Sequence, residues 1–147
     1  MFGNLLSKLK GGAESLVNSA LSSNDTDVME AMVAAGVLAA YADGDLSDDE
    51  TKVVVGILGA SKQLEVFGDE PIKLFDKYCD TMEVSKRTGK FTLMKEIADL
   101  KGDKDNSIRV LLMAIEVSDA DNDIDADEMK VLRAIAKELS LELNDYI

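Results

Sequence analysis

Two short segments concentrate the groups able to do chemistry. Asp43-Gly44-Asp45-Leu46-Ser47-Asp48-Asp49-Glu50 carries five acids and Asp119-Ala120-Asp121-Asn122-Asp123-Ile124-Asp125-Ala126-Asp127-Glu128 carries six, with no basic residue in either. Carboxylates packed so closely repel one another unless a cation sits among them. Hard oxygen donors favour Ca²⁺ or Mg²⁺ over thiophilic metals. Alternating Asp at 119, 121, 123 and 125 follows the ligand spacing of calcium loops, where alternate side chains converge on one centre. The EF-hand template nevertheless fails. Counted from Asp119, its glycine position holds Ile124 and its bidentate glutamate position Lys130; counted from Asp121, those are Ala126 and Leu132. Each turn alone is an incomplete cage.

The two segments are copies of one pattern. At an offset of 78, Asp43, Asp45, Asp49, Glu50, Lys52 and Val53 meet identical residues, and Leu46 meets Ile124. Residues 31–60 and 109–138 therefore read as a repeated unit of apolar helix, acidic turn and amphipathic helix. Two incomplete cages facing each other would share one site, built on the duplicated pairs Asp43/Asp45 and Asp121/Asp123. Helix capping explains part of the acidity without any ion. Ser47 with Glu50, and Asp125 with Glu128, have capping-box spacing. Asp48, Asp49 and Asp127 fall in first turns, where the helix dipole favours anions. Asp43, Asp45, Asp119, Asp121 and Asp123 precede the caps and stay unexplained by this route.

The elements that must hold these turns are helices. Alternating β-branched runs are nearly absent, whereas apolar residues recur at helical spacing. The pattern predicts a first helix over about 4–21, which Gly11-Gly12 bends or breaks. An Ala-rich second helix, capped by Asp25 or Thr26, runs to about Ala42. The third spans Ser47 to about Ala60. A connection over 61–69 is anchored by Leu64, Val66 and Phe67. Pro71 opens a fourth helix, which Thr88-Gly89 ends. A short fifth covers about 91–100. A sixth starts within 103–106, with Ile108, Leu111, Leu112 and Ile115 on its apolar side. A seventh runs over about 126–139, and the tail packs as a last turn. The expectation is an all-α single compact bundle of about seven helices with a pseudo-two-fold internal repeat, one domain over 1–147.

Composition bounds what the bundle can do. Sixteen basic against 29 acidic residues give a net charge of −13, of which the two segments supply −11. That balance argues against nucleic acid as a partner and against docking on anionic lipid by charge. The absence of histidine removes Ser-His-Asp and Cys-His catalysis and His-ligated zinc. The single cysteine, Cys79, forms no internal disulfide and fits a reducing compartment, the cytoplasm. It reads as a small buried residue, and the methionines as core filling. The longest apolar run, Ala31 to Ala42, is 12 residues, too short to span a bilayer. The N-terminal helix reads as docking on the domain in preference to lying on a membrane. Lys86, Arg87 and Lys90 form the one dense basic cluster.

The chain resembles TerB of the bacterial tellurite-resistance (ter) system. The resemblance rests on Ala40-Tyr41-Ala42-Asp43-Gly44-Asp45-Leu46-Ser47-Asp48-Asp49-Glu50, on the second acidic turn, and on Leu64-Glu65-Val66-Phe67 between them, and it covers nearly the whole chain. One departure is Asn122 where the first motif has Gly44; Asn tolerates the left-handed turn. The resemblance implies an all-helical, cytoplasmic protein of tellurite and general stress resistance. It implies divalent-cation binding by the acidic residues at the matching positions, Asp43, Asp45, Glu50, Asp121, Asp123 and Glu128. The implied partners are an integral membrane protein of TerC type and calcium-binding proteins of TerD type, the former recruiting the chain to the inner face of the membrane. The expected function is thus a non-enzymatic, cation-binding accessory module that does not itself insert in a membrane. The alternative is a metal-independent interaction module whose acidic turns meet a basic partner surface. An enzyme using paired carboxylates lacks a phosphate-cradling loop and a nucleophile with its base.

Overall fold

The computed structural model describes residues 23–147. The helix expected over 4–21, and its docking, lie outside them. The described part is all-helical, with six α-helices and no strand among its residues. They are α1 (Ser23–Ala40), α2 (Asp48–Ala60), α3 (Glu70–Val84), α4 (Lys86–Ala98), α5 (Lys104–Ser118) and α6 (Ala126–Glu138), with 3₁₀ turns at Glu65–Phe67 and Leu143–Asp145.

Helix α1 is the central element and packs against all five others. Its stretch from Ala31 to Ala39 is buried throughout, Gly36 included. Small residues make this possible, because they let neighbouring axes approach from several sides. At Gly36 an added Cβ would lie 3.7 Å from Val117 and 3.8 Å from Met113, ordinary contact distances, so α5 rests directly on this face.

Helix boundaries follow local chemistry. Ser47 caps α2, its Oγ accepting from Glu50 N at 3.1 Å while Glu50 Oε1 accepts from Ser47 N at 2.9 Å. Pro71 sits in the first turn of α3, where the N–H it lacks is not needed. Asp103 caps α5, accepting from Asn106 N at 3.3 Å. Leu64 is buried and Phe67 half-buried, so the connection after α2 is pinned to the core. Leu143 anchors the tail in the same way.

Two expectations are corrected. The fourth helix does not end at Thr88-Gly89. It stops at Val84, and Ser85, with extended backbone (φ −161°), caps α4 by accepting from Thr88 N at 3.2 Å. Gly89 lies inside α4 and serves packing: an added Cβ would stand 2.8 Å from Met82 Sδ and 3.0 Å from Met82 Cα. In α5 Met113 is buried, and beside it runs a buried side made of Ser107, Val110, Leu111, Ala114, Val117 and Ser118. These positions follow the i, i+3, i+4, i+7 stripe of a straight helix, and Leu112 falls off it, 41% exposed. Ser107 is tolerated inside because its Oγ donates to Leu100 O at 2.9 Å, tying the α4–α5 turn to α5.

Candidate functional site

The two acidic turns share one geometry. In the first, Asp43 Oδ1 accepts from Asp45 N at 3.1 Å; in the second, Asp121 Oδ1 accepts from Asp123 N at 3.1 Å. Between them Gly44 (φ 99°) and Asn122 (φ 66°) both take the left-handed conformation, which the Asn side chain permits. Leu46 and Ile124 tuck against the core at equivalent positions. Each turn closes on a capping box, Ser47/Glu50 in the first and Asp125/Glu128 in the second.

The two units also meet. A cavity of about 160 Å³ is lined by Glu50 and by Asp121 and Glu128. Its apolar walls include Ala39 and Val54 from the first unit and Val117 from the second. Equivalent residues of the two units line it in pairs: Ala39 with Val117, Ala40 with Ser118, Glu50 with Glu128. Asp43, Asp45 and Asp123 are exposed on the turns and do not line the cavity. Of the six candidate ligands, then, the fold gathers three at one cleft and leaves three exposed outside its lining. Among the described residues no three acidic or thiol side chains stand close enough to hold an ion as they lie.

Ser118 was not legible as a site residue. It is 1% exposed, lines the cleft, and its Oγ has no hydrogen-bond partner among the described residues. A buried hydroxyl left unpaired costs about 1–3 kcal/mol. Its counterpart in the other unit is Ala40, so the hydroxyl is not required by the packing of the repeat. The donor set around the cleft, carboxylates and a hydroxyl, suits a hard cation and no soft one. One oxygen of each carboxylate is already used locally: Asp121 Oδ1 in its turn, Glu50 Oε1 and Glu128 Oε1 in the capping boxes.

Electrostatics single out Glu128. Partial burial raises its carboxyl above the usual glutamate range; the hydrogen bond from Asp125 N opposes this, and the charges of Asp125, Asp121 and Asp123 add to it. A carboxyl raised in this way holds its proton more tightly in the folded than in the unfolded chain. It favours folding at acid pH, and that contribution is lost as pH rises through the folded pKa. Without added cation, Glu128→Gln is therefore expected to be more stable than the parent at pH 7 and indistinguishable from it near pH 3, since the amide keeps the Oε1 acceptor and drops the repelled charge. Urea unfolding at the two pH values measures this, and a loss of stability at pH 7 would refute it. Glu30 and Glu96 are also raised, mainly by burial, and leave the comparison unaffected because both variants carry them.

The entrance to the first turn is clamped. Tyr41 Oη donates to Glu83 Oε2 at 2.7 Å, and Lys86 Nζ lies 5.6 Å from the Tyr41 ring centre and 3.7 Å from Glu83. Cys79 sits beside this clamp, half-buried. Burial, outweighing a hydrogen bond with Tyr41 and reinforced by Asp76, Asp80 and Glu83, pushes its thiol up to about 11. No helix among the described residues is long and apolar enough to cross a membrane.

Compared with known proteins, residues 29–147 match the family model described as "Tellurite resistance protein TerB". No curated protein and no solved structure matches the chain.

Proposed function

This chain belongs to the TerB family of tellurite-resistance proteins, and we propose that it is a non-enzymatic module that binds a divalent cation between its two acidic turns. The observation that carries this reading is the cleft shared by Glu50, Asp121 and Glu128, with the unpaired Ser118 hydroxyl in its wall. Calcium is the expected ion and magnesium its competitor, because calcium accepts irregular oxygen cages with more ligands. The Glu50, Asp121 and Glu128 carboxylates and the Ser118 Oγ would hold it from within the cleft; Asp43, Asp45 and Asp123 would contribute field from the rim. An ion there would supply the positive charge that the turns lack and would tie α1–α2 to α5–α6. Its loss would return a strongly acidic surface to solvent. In the cell the module would sit in the cytoplasm and work with other ter-system proteins, including a TerC-like membrane partner and TerD-like proteins.

A second reading is favoured by one specific observation. Both turns are already closed by hydrogen bonds and capping boxes with no ion present. On that reading the acids meet a basic partner surface directly. Calorimetric titration of metal-stripped protein with Ca²⁺, with Mg²⁺ as competitor, separates the two. We expect saturable binding of definite stoichiometry. Asp121→Asn should abolish it, Asp43→Asn should weaken it less, and Ser118→Ala should weaken it without unfolding the chain. No saturable heat at millimolar calcium would overturn the cation site and leave the interaction module.

A further inference from the structure

A second concave surface lies away from the acidic cleft, and its occupant is on the same chain. One part, about 400 Å³, is lined by Met32, Ile57, Ala60, Leu112 and Met113, with Arg109 at its edge. The other, about 170 Å³, is lined by Asp25, Val28, Met29, Val66 and Phe67. The two share Met32, Gln63 and Arg109, so they form one groove. It begins at the first turns of α1 and runs over the connection after α2 to the outer side of α5. Leu112, off the buried stripe of its own helix and 41% exposed, stands in it.

We propose that this groove receives the apolar side of residues 1–22 of the same molecule. The segment joins α1 at Ser23, and Asp25 already lines the near end of the groove. Phe2, Leu5, Leu6 and Leu9 fall at i, i+3, i+4 and i+7, an apolar stripe with Lys8 and Lys10 off it. Gly11-Gly12 follows that stripe, a sequence signal for a break in the helical pattern. The residues between that stripe and Ser23 reach about 40 Å if extended, and about 20 Å even if helical, so the whole groove is within range. Tethering gives the segment a millimolar effective concentration at the groove, which favours it over the same segment of a second copy at micromolar protein. Net charge does not oppose the pairing: the segment is weakly basic and the remainder of the chain strongly acidic.

The test is limited trypsin digestion of the full chain, read as cleavage at Lys8 and Lys10. Leu112→Asp places a charge in the groove at a position exposed enough to be tolerated by the fold; we expect cleavage about tenfold faster than in the parent, because protease captures the released segment. Phe91→Asp, an equally apolar position that is 67% exposed and lines neither part of the groove, should leave the rate unchanged. Leu5→Asp with Leu9→Asp, which alters only the segment, should raise the fluorescence of an apolar dye severalfold by uncovering the groove. Equal cleavage of parent and Leu112→Asp, or dye binding unchanged by the segment variant, would overturn the proposal. So would protection of Lys8 and Lys10 that grows with protein concentration, which would place the segment on a second copy, or that needs lipid vesicles, which would place it on a membrane.

Discussion

Alanine at Gly89 is expected to destabilise the fold by about 2 kcal/mol and to lower its unfolding temperature by about 4–8 °C. The sign is the informative part. In the middle of an exposed helix, glycine to alanine gains about 1 kcal/mol, because alanine restricts the unfolded chain and glycine does not. Gly56 in α2 offers that case: an added Cβ would meet nothing within 4 Å. Gly89 offers the opposite one. Its added Cβ would meet Met82 Sδ at 2.8 Å, Met82 Cα at 3.0 Å and Thr81 O at 3.1 Å. The thioether of Met82, 1% exposed, has little room to swing aside, and the other two atoms are backbone. Helix α4 would have to move off α3, uncovering Leu93 and Ile97 from the core. Thermal unfolding of Gly89→Ala and Gly56→Ala side by side should therefore show shifts of opposite sign. A stabilised Gly89→Ala would mean that α3 and α4 are not packed as described.

Calcium should raise the unfolding temperature far more than sodium chloride of equal ionic strength. Screening alone helps any chain of net charge −13, by weakening repulsion between exposed carboxylates. A specific ion adds mass action on the folded state, about 2.7 kcal/mol at a hundredfold excess over its dissociation constant. For a chain of this size that corresponds to roughly 5–10 °C. The increment should vanish in Asp121→Asn, which removes a carboxylate lining the cleft, and in Glu128→Gln, although the latter starts from the more stable metal-free state. Stability gained without ion and response lost with it is the signature of a residue kept for binding and not for folding. Equal shifts with both salts would mean that the eleven acids of the two turns act as caps and as a charged surface.

The helical class, the boundaries at Ser47, Asp103 and Asp125, and the duplicated turns were legible because each rests on a local rule. Caps depend on spacings of three residues, and the repeat is visible as identity at a fixed offset. What escaped was set by tertiary context. Thr88-Gly89 reads as a helix stop, yet the glycine is there for the close crossing of α3 and α4, and the break comes at Ser85. In α5 several apolar residues compete for one stripe, and only the neighbouring helices decide that Leu112 loses. The candidate site divides in the same way. Carboxylate chemistry and its duplication were written in the sequence. Which carboxylates share a cleft depends on how two units pack, and no spacing reports that. Ser118 had no signal at all, being one serine in an apolar helix until its burial is known.

The half-buried thiol beside the Tyr41 clamp bears on the chemistry around a tellurite-resistance protein. With its pKa at about 11, Cys79 is thiolate in roughly one molecule in 10⁴ at pH 7. Oxidants and metalloid oxyanions consume thiolates, so they would exhaust small-molecule thiols long before this one. Met32, Met82 and Met113 are buried. Cys79 would thus keep its thiol while the surrounding thiol pool is being spent, and the more open sulfurs of the described part are the half-buried thioethers of Met94 and Met129.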